Sequence, residues 1–353
     1  MLRPAMSSQP SSPEPQTPTA AVTGASGHVG ANLVRALLGQ GRRVRVLVHE
    51  ESRALADLGI ERIPGDIRDP AALERAFSGA QVVFHLAARI SISGDHGGQV
   101  QAVNAAGTHN VVAACRRAGV QRLVHFSSIH AFSPLPAGPI DETRGFNDVP
   151  DALAYERSKV EGERAVLAGV AEGLDAVIVN PTAILGPYDY RPSPMGTVLL
   201  DLYRRRFPAL VQGGFNWVDV RDVVAGALAA EQKGRRGERY ILSGQWTSFA
   251  ELATLVHDIT RVPVPRLVTP MWLARFGAEM TELYRRVTGV PVRFTGESLK
   301  ALRHWRDVSC DKARRELGYQ PRPLRETVAD TFHWFHQAGF IPAVHFTQHR
   351  AEG

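Results

Sequence analysis

The architecture of this chain is set by residues 19–30, which read Thr19-Ala20-Ala21-Val22-Thr23-Gly24-Ala25-Ser26-Gly27-His28-Val29-Gly30. The first five residues predict a short buried strand, and the pattern from Ala31 to Leu38 predicts a helix directly after the glycines. Glycines in such a turn let backbone N–H groups approach a pyrophosphate at the helix N-terminus, where the helix dipole favours an anion. A plain strand-to-helix turn needs about one glycine, so three glycines spaced Gly-x-x-Gly-x-x-Gly indicate a dinucleotide-binding turn.

Strands and helices alternate beyond this turn. Further strands are predicted at Arg43–Val48, Ile60–Pro64, Gln81–Ala88, Arg122–Phe126 and Asp175–Val179, with helices between them. This alternation predicts an α/β fold with a Rossmann-like, doubly wound parallel sheet, in which ligands bind at the carboxyl ends of the strands. Because Gly24, Asp66, Ala87 and Ser128 all follow predicted strands, we expect them to meet in one site.

The regular alternation ends near Gly186-Pro187, and the remaining chain is rich in prolines. We therefore expect a disordered tail over 1–18, a nucleotide-binding domain over 19–182 that also takes in about 215–242, a smaller and mostly helical substrate-binding lobe over 183–214 and 243–340, and a tail over 341–353. Residues 215–242 are assigned to the first domain because they contain predicted strands on either side of a predicted helix.

Composition argues against several classes of protein. The chain has 353 residues and is 44% apolar, which is enough to bury a large core. Its net charge of +6 comes from arginines scattered in pairs, a pattern typical of a solvated surface and not of a nucleic-acid-binding stripe. Cys115 and Cys310 predict free thiols in a reducing, cytoplasmic compartment, with no metal site. No apolar run reaches the ~18 residues of a membrane span, which leaves at most a peripheral membrane contact.

The stretch Tyr155-Glu156-Arg157-Ser158-Lys159 carries the second motif. Residues four apart lie on the same face of a helix, so the ammonium of Lys159 can act on the phenol of Tyr155. A nearby positive charge favours the phenolate and lowers its pKa from ~10, which makes Tyr155 a usable general acid or base. Lysine is rare in this chain, which holds only four, so a chance pairing with a tyrosine is uncommon.

The end of the second predicted strand bears on the choice between NAD and NADP. An acidic residue there would bind the ribose hydroxyls of NAD, and a basic one the 2′-phosphate of NADP. His49 holds this position, with Glu50 next and Arg53 close behind, so the sequence favours NADP without excluding NAD. Asp66 follows the third strand, where it could bind the adenine amino group or cap the next helix.

Together these motifs resemble the extended short-chain dehydrogenase/reductase, or NAD-dependent epimerase/dehydratase, family. The matching motifs are Gly24-x-x-Gly27-x-x-Gly30, Gly65-Asp66, Leu86-Ala87-Ala88, Asn104, Ser127-Ser128, Tyr155-x-x-x-Lys159 and Asn180-Pro181, spread over nearly the whole chain. Phe126-Ser127-Ser128-Ile129 and the ending around Ala313–Tyr319 are most similar to the dihydroflavonol reductase and 3β-hydroxysteroid dehydrogenase branch.

The resemblance implies catalytic roles for four residues. Tyr155 would exchange a proton with the substrate oxygen, and Lys159 would hold the nicotinamide ribose and lower the pKa of the tyrosine. Ser128 would hydrogen-bond the same substrate oxygen, with Ser127 as the alternative. Asn104 would support the proton path through its helix and a water, or else be a locally bonded polar residue of that helix.

The resemblance also implies a cofactor-binding set. Pro181 would shape the nicotinamide pocket, and the hydride chemistry would belong to the cofactor. The implied set is Gly24, Ser26, Gly27, His28, Val29, Gly30, His49, Arg53, Asp66, Ile67, Leu86, Ala87, Ala88, Tyr155, Lys159 and Pro181. A homodimer is expected by analogy with the family alone.

Substrate class is the least constrained inference. Family members that act on nucleotide sugars usually carry an arginine that holds the diphosphate, whereas Phe215-Asn216 stands in its place here, with Arg191 and Arg221 as possible substitutes. Apolar residues between Met271 and Val290 recur at helical spacing, which predicts either core or the lining of an apolar pocket or membrane contact.

The leading hypothesis is therefore an NAD(P)-dependent oxidoreductase that interconverts a ketone and a secondary alcohol on an apolar or ring-bearing small molecule. The alternatives are a nucleotide-sugar epimerase or dehydratase, and a non-catalytic NAD(P)-binding sensor.

Overall fold

A computed structural model describes residues 19–50, 53–91, 94–265, 267–270 and 306–342. The tail predicted over 1–18 and the apolar pattern from Met271 to Val290 lie outside the described residues, as does most of the tail predicted over 341–353.

Strands and helices alternate through the first half of the chain. In order these are β1 (Thr19–Thr23), α1 (His28–Gly39), β2 (Arg43–Val48), β3 (Glu61–Pro64), α2 (Pro70–Phe77), β4 (Val82–His85), α3 (Gln99–Gln101), a π-helical turn (Ala102–Ala106), α4 (Gly107–Arg117), β5 (Arg122–Phe126), α5 (Ala154–Ala171) and β6 (Ala176–Pro181). The second half contains β7 (Ala183–Leu185), α6 (Pro194–Tyr203), β8 (Leu210–Val211), β9 (Gly214–Asp219), α7 (Val220–Lys233), β10 (Arg239–Leu242), β11 (Gln245–Ser248), α8 (Phe249–Thr260), β12 (Val268–Thr269), α9 (Asp311–Leu317) and α10 (Leu324–Gln337).

The main sheet has seven parallel strands in the order β10-β6-β5-β4-β1-β2-β3. All five residues of β1 are buried, as expected for a central parallel strand covered on both faces. The chain runs outward from β1 to β3 and then returns to place β4 on the other side of β1. The crevice beyond β1 and β4 is therefore the switch point where such sheets bind ligands. The predicted Rossmann-like α/β fold is confirmed.

Helices cover both faces of this sheet. On one face, α1 and α7 bury residues such as Leu33 and Val223 against the strands, and on the other, α2, α4 and α5 bury Phe77, Val111 and Val166. Full burial of one such side chain stabilises the fold by about 1.5–3 kcal/mol. The two packed faces make the sheet a rigid support for the loops at its carboxyl edge.

A second, three-stranded sheet has the order β11-β9-β7. The predicted nucleotide-binding domain includes about 215–242 besides 19–182, but only part of that stretch joins the main sheet. Strand β10 pairs there with β6, whereas β9 lies in the second sheet between β7 and β11. Strand β9 belongs to the lobe because its Trp217 is buried in the lobe core and donates its indole N–H to the Thr247 carbonyl at 3.1 Å.

The C-terminal part of the predicted lobe is also divided. Helices α6, α8 and α10 pack with the second sheet around a core that includes Leu252, Phe332 and Phe335. Helix α9, by contrast, packs on α7 and β10, and its Ala313 and Leu317 belong to the core of the main sheet. Over the described ranges, no helix combines the length and the hydropathy that crossing a bilayer requires.

Candidate active site

The carboxyl ends of β1, β4, β5 and β6 open into a cleft of about 480 Å³, closed on its other side by residues of the lobe. The predicted site residues that line it are Gly24, Gly27, His28, Val29, Gly30, Leu86, Ala88, Ser128, Tyr155, Lys159 and Pro181. Ser26, His49, Arg53, Asp66, Ile67, Ala87 and Asn104 are placed outside its wall. One cavity thus joins the glycine turn to the tyrosine and lysine, which are far apart in sequence.

Two of the three glycines are required by the fold itself. Gly24 has a φ of +71°, and a Cβ there would lie 2.5 Å from the backbone nitrogen of Ala87. A Cβ on Gly30 would lie 2.2 Å from the Gly24 carbonyl oxygen, so α1 packs directly on the turn. These contacts bring the turn against the end of β4.

Gly27 is different. Its φ of −76° is one that any residue adopts, and the nearest atom to an added Cβ is the Gly24 oxygen at 3.4 Å, an ordinary contact. The protein interior therefore does not require glycine here, but the residue lines the cleft, where a side chain would occupy space. As the N-cap residue of α1, Gly27 also has no side chain to accept from the first N–H groups, whereas Asp69 and Asp219 cap α2 and α7. This arrangement fits the pyrophosphate of a dinucleotide.

Helix α1 is also tied to the lobe. His28 Nε2 lies 3.1 Å from the carbonyl oxygen of Gly186 and 3.0 Å from that of Pro187, so this nitrogen carries the ring proton. One turn further along, Asn32 donates to the same Pro187 oxygen at 3.0 Å. His28, predicted as a cofactor-binding residue, thus also holds the loop that closes the other side of the cleft.

Tyr155 lies in the first turn of α5, with Lys159 one turn later. The Lys159 ammonium donates to the Phe126 carbonyl at 3.0 Å and lies 5.9 Å from the centre of the Tyr155 ring. The Ser128 hydroxyl is hydrogen-bonded to the Tyr155 side chain, whereas the Ser127 side chain faces Glu163. Of the two candidate serines, Ser128 is therefore the one beside the phenol.

The sequence-based expectation of a lowered Tyr155 pKa is wrong, because the pKa of this phenol is raised on balance. Burial raises the pKa of Tyr155 to about 12 and the charge of Glu156 adds to this rise, while the hydrogen bond with Ser128 opposes it. The lysine does not offset the rise because its ammonium turns towards the Phe126 carbonyl, and burial lowers its own pKa to about 8. At neutral pH the pair is therefore a neutral phenol beside an ammonium, which suits Tyr155 to donate a proton.

A sequence profile of the NAD-dependent epimerase/dehydratase family matches residues 20–243. The chain belongs to this family. It is 39% identical to sterol demethylase protein B of Methylococcus capsulatus over 92% of this chain and 100% of that protein. It is 36% identical to a putative dihydroflavonol 4-reductase of Synechocystis over 91% of this chain and 95% of that protein. The crystal structure of gox2253 superposes with a TM-score of 0.78 at 33% identity, covering 92% of this chain and 99% of that one.

These comparisons confirm the sequence-based identification. The chain is a member of the extended short-chain dehydrogenase/reductase family, on the branch that contains dihydroflavonol reductase-like proteins, and it is an NAD(P)-dependent oxidoreductase of that type.

A pair of polar residues beside the tyrosine, His130 and Glu156, was not predicted from the sequence. His130 Nδ1 lies 3.2 Å from Glu156 Oε1, both residues line the cleft, and the His130 ring meets the Tyr155 ring edge-on at 5.9 Å. Burial raises the pKa of the Glu156 carboxyl, but hydrogen bonds from His130 and the Leu153 amide outweigh it and the net pKa is lowered. The available signal was adjacency, since Glu156 follows Tyr155 and His130 lies two residues after Ser128.

Asn104 connects elements behind the cleft. Its side chain accepts from the Arg89 amide at 2.7 Å and donates to the Arg89 carbonyl at 3.0 Å and to the Ser158 hydroxyl at 2.9 Å. It lies in the π-helical turn, and its own carbonyl accepts from Thr108. Asn104 therefore links the loop after β4 to the helix that carries Lys159.

Asp66 lies among basic side chains at the ends of β2 and β3. Asp66 accepts from the Arg68 backbone at 2.8 Å and from its guanidinium at 2.8 and 2.9 Å, and the hydrogen bond from the Arg68 side chain is the main cause of its lowered pKa. His49 Nδ1 lies 3.3 Å from the same carboxylate. The cap of α2 is Asp69, so the alternative role of Asp66 as a helix cap is wrong. Arg53 begins a short 3₁₀ turn nearby.

The cleft is lined largely by apolar side chains from both domains. Ile90, Ile129 and Leu153 come from the nucleotide-binding domain, and Ile184, Met195 and Phe215 from the lobe. The side-chain oxygen of Asn216 is already used within the protein, because it accepts hydrogen bonds from the Thr182 hydroxyl at 3.1 Å and the Gly244 amide at 2.8 Å. Of the two suggested diphosphate clamps, Arg221 is bound to Asp219 and Asp330 away from the cleft, while Arg191 lines the cleft with a 69% exposed side chain.

Proposed function

We propose that this protein interconverts a ketone and a secondary alcohol on an apolar, ring-bearing small molecule, with NAD(P) as the redox partner and Tyr155 as the acid/base. The observation that carries the proposal is one apolar cleft in which the Tyr155 phenol and the Ser128 hydroxyl lie together opposite the bare glycine turn. A hydrogen-bonded phenol beside a second donor is the arrangement that can hold and protonate a carbonyl oxygen.

In the reducing direction, the Tyr155 phenol donates its proton to the substrate oxygen while Ser128 donates a hydrogen bond to the same atom. The raised pKa of Tyr155 keeps that proton in place at neutral pH. In the oxidising direction the tyrosine must first lose its proton, and the resulting phenolate then takes the proton of the alcohol. The nicotinamide ring, when bound, supplies or accepts the hydride.

The proposed cofactor residues are those that the family resemblance implies and that line the cleft. The turn at Gly24 and Gly27 would hold the pyrophosphate at the N-terminus of α1, Lys159 the nicotinamide ribose, and Pro181 the face of the nicotinamide pocket. At the adenosine end, His49 and Arg53 favour NADP over NAD, and the Asp66 carboxylate nearby is already occupied by Arg68. Glu50, at the same strand end, lies 3.4 Å from Arg191, so an anionic 2′-phosphate would meet carboxylates that are already paired with arginines.

The substrate class rests on the apolar lining and on the names of the relatives. The names of two relatives, sterol demethylase protein B and a putative dihydroflavonol 4-reductase, refer to a sterol and a dihydroflavonol, which are ring-bearing molecules. An apolar wall with a few polar groups at one end suits such a molecule, because the polar groups orient it and the wall excludes water.

The test is a panel of cyclic ketones and secondary alcohols assayed with NADPH and NADP⁺, and with NADH and NAD⁺, by the absorbance of the reduced nicotinamide. We expect turnover of at least one apolar cyclic substrate, faster with the phosphorylated cofactor. Binding of the cofactor without turnover of any panel member would contradict the proposal.

The epimerase or dehydratase alternative is kept because Arg191 lines the cleft and could meet a diphosphate. In that reaction the cofactor is reduced and reoxidised within one turnover. Conversion of a nucleotide sugar with no release of reduced cofactor would favour this alternative over the proposed reaction.

A further inference from the structure

One arginine of the lobe reaches the end of β2, the strand end at which a dinucleotide places its adenosine ribose. Arg191 lines the cleft, and both terminal nitrogens of its guanidinium, Nη1 and Nη2, lie 3.4 Å from Glu50 Oε2. The two residues are 141 positions apart in sequence and belong to different domains. None of the cofactor-binding roles given above uses Arg191.

The chain before Arg191 is fixed to α1. Arg35 of that helix donates to the Tyr190 hydroxyl at 3.0 Å, and its guanidinium lies over the rings of Tyr188 and Tyr190, 4.6 and 5.4 Å from their centres. The same guanidinium donates to the Ala54 carbonyl at 3.0 Å, in the turn that follows β2. Arg35 therefore holds the residue before Arg191 beside the end of β2.

The chain after Arg191 is fixed as well. The buried Asp189 carboxylate accepts from the Ser193 amide at 2.8 Å, which closes the backbone into a turn around Arg191. The Ser193 hydroxyl in turn caps α6 by accepting from the Gly196 amide at 3.0 Å. The side chain of Arg191, in contrast, is 69% exposed. Its backbone is therefore held in place, while its guanidinium can exchange one partner for another.

The pairing of Arg191 with Glu50 is weak. Both side chains are mostly exposed, and 3.4 Å is longer than the roughly 2.7–2.9 Å of a strong charge-assisted hydrogen bond, so the pair adds little to stability. A phosphate monoester carries nearly two negative charges at neutral pH, and a guanidinium binds it through two parallel hydrogen bonds. A phosphate at this position would therefore displace the Glu50 carboxylate.

The other acid at this end of the sheet already has its partner. Asp66 accepts from the Arg68 guanidinium at 2.8 and 2.9 Å, and His49 Nδ1 lies 3.3 Å from the same carboxylate. Among the described residues directly after β2, Glu50 is thus the one whose carboxylate has an exchangeable partner. NAD has a hydroxyl in place of the 2′-phosphate and would leave the pair of Glu50 and Arg191 intact, so this pair can distinguish the two cofactors.

We propose that Arg191 is the residue that selects NADP: its guanidinium leaves Glu50 and binds the 2′-phosphate, so that the cofactor connects the lobe to the nucleotide-binding domain. This role rests on the choice of NADP in the proposed function and names a residue behind that choice. Arg191 thereby belongs to cofactor binding, and not to the diphosphate of a nucleotide-sugar substrate.

The experiment measures the binding of 2′,5′-ADP and of 5′-AMP by isothermal titration calorimetry, without substrate. Only the first carries the 2′-phosphate, so the ratio of the two Kd values isolates that group. We expect Arg191→Ala to raise the Kd of 2′,5′-ADP about tenfold and to leave that of 5′-AMP within about twofold. Arg191→Lys keeps the charge but not the planar fork, so it should recover part of the loss.

A substitution of Glu50 should act in the opposite direction. Glu50→Gln removes the competing carboxylate and should lower the Kd of 2′,5′-ADP by about threefold. The matched control is Arg117→Ala, which breaks an exposed pair with Glu74. Arg117 ends α4 just before β5 begins, at the edge of the sheet opposite the cleft, so both Kd values should stay unchanged.

Equal losses for the two nucleotides in a folded Arg191→Ala variant, or no loss for either, would overturn the proposal. So would a wild-type protein that binds 5′-AMP more tightly than 2′,5′-ADP, or an Arg191→Ala variant that loses affinity for UDP-glucose alone. Thermal melts confirm that each variant is folded. Absence of ketone turnover together with the expected change in Kd would refute the proposed reaction and leave the role of Arg191 intact.

Discussion

The two walls of the cleft are built on opposite principles. The wall at β1 and α1 presents bare backbone, with Gly27 at the N-cap of the helix and no acidic side chain in its first turn. The wall at β5 and α5 presents ionisable side chains packed into the interior, among them Lys159, Glu163 and the partly buried Tyr155. The first wall can accept an anion because side chains are missing from it. The second can exchange a proton because ionisable side chains line it. Substitutions on the two walls should therefore fail in different ways.

The largest expected effect is on the ionisable wall. Tyr155→Phe removes the proton donor but keeps the ring, so we expect kcat to fall by about 10³-fold with the Kd for the cofactor within about twofold of wild type. The measurement is steady-state turnover beside cofactor titration by intrinsic fluorescence. Turnover retained within tenfold would remove Tyr155 from the acid/base role.

The next effect separates the two serines. Ser128→Ala removes the hydroxyl beside the phenol and should lower kcat by about 10²-fold, with a smaller change in KM. Ser127→Ala is the matched control, because the Ser127 side chain faces Glu163 instead, and we expect less than a fivefold loss. An equal loss for the two variants would show that the serines are not distinguished as the geometry indicates.

Substitutions in the glycine turn should affect either the stability of the fold or the binding of the cofactor, depending on the position. Gly24→Ala places a Cβ 2.5 Å from the Ala87 nitrogen at a φ of +71°, so it should lower the free energy of unfolding by about 3 kcal/mol. Gly27→Ala meets only an ordinary contact at 3.4 Å, so its melting temperature should stay near that of wild type while the cofactor Kd rises about tenfold. Thermal melts and cofactor titration of both variants test this, and the reverse assignment would contradict it.

The smallest effect is a pH dependence. The pKa of Lys159 is lowered to about 8, so its positive charge is present below that pH and is lost as the pH rises through it. Tyr155, with a pKa of about 12, stays protonated over the same range. The kcat/KM for ketone reduction should therefore be level near neutral pH and fall to half near pH 8. A level profile up to pH 10 would show that the charge of Lys159 does not matter.

Features that depend on interactions between residues close in sequence could be predicted, and features that depend on distant contacts could not. The glycine turn and the strands of the main sheet could be predicted because steric limits and local apolar patterns act over a few residues, as at Gly24. The strands and the helix of 215–242 could be predicted from the local pattern. Which sheet β9 joins could not, because it depends on which hydrophobic core buries Trp217.

The pKa of Tyr155 could not be predicted from Lys159 alone. Its direction depends on burial and on which carbonyl the ammonium meets, and Phe126 lies 33 residues away in sequence. The pair of His130 and Glu156, 26 residues apart, was missed for the same reason. Adjacency to a motif points to such residues, but only the packing of the loop against α5 brings them together.

The bonds from His28 and Asn32 to the carbonyls of Gly186 and Pro187 have a consequence for the lobe. The main-chain oxygens at the start of the segment that lines the lobe side of the cleft are held by the first helix, whatever side chains that segment carries. Residues further along it, such as Met195, can therefore vary and reshape the cleft while Gly186 and Pro187 stay anchored to α1.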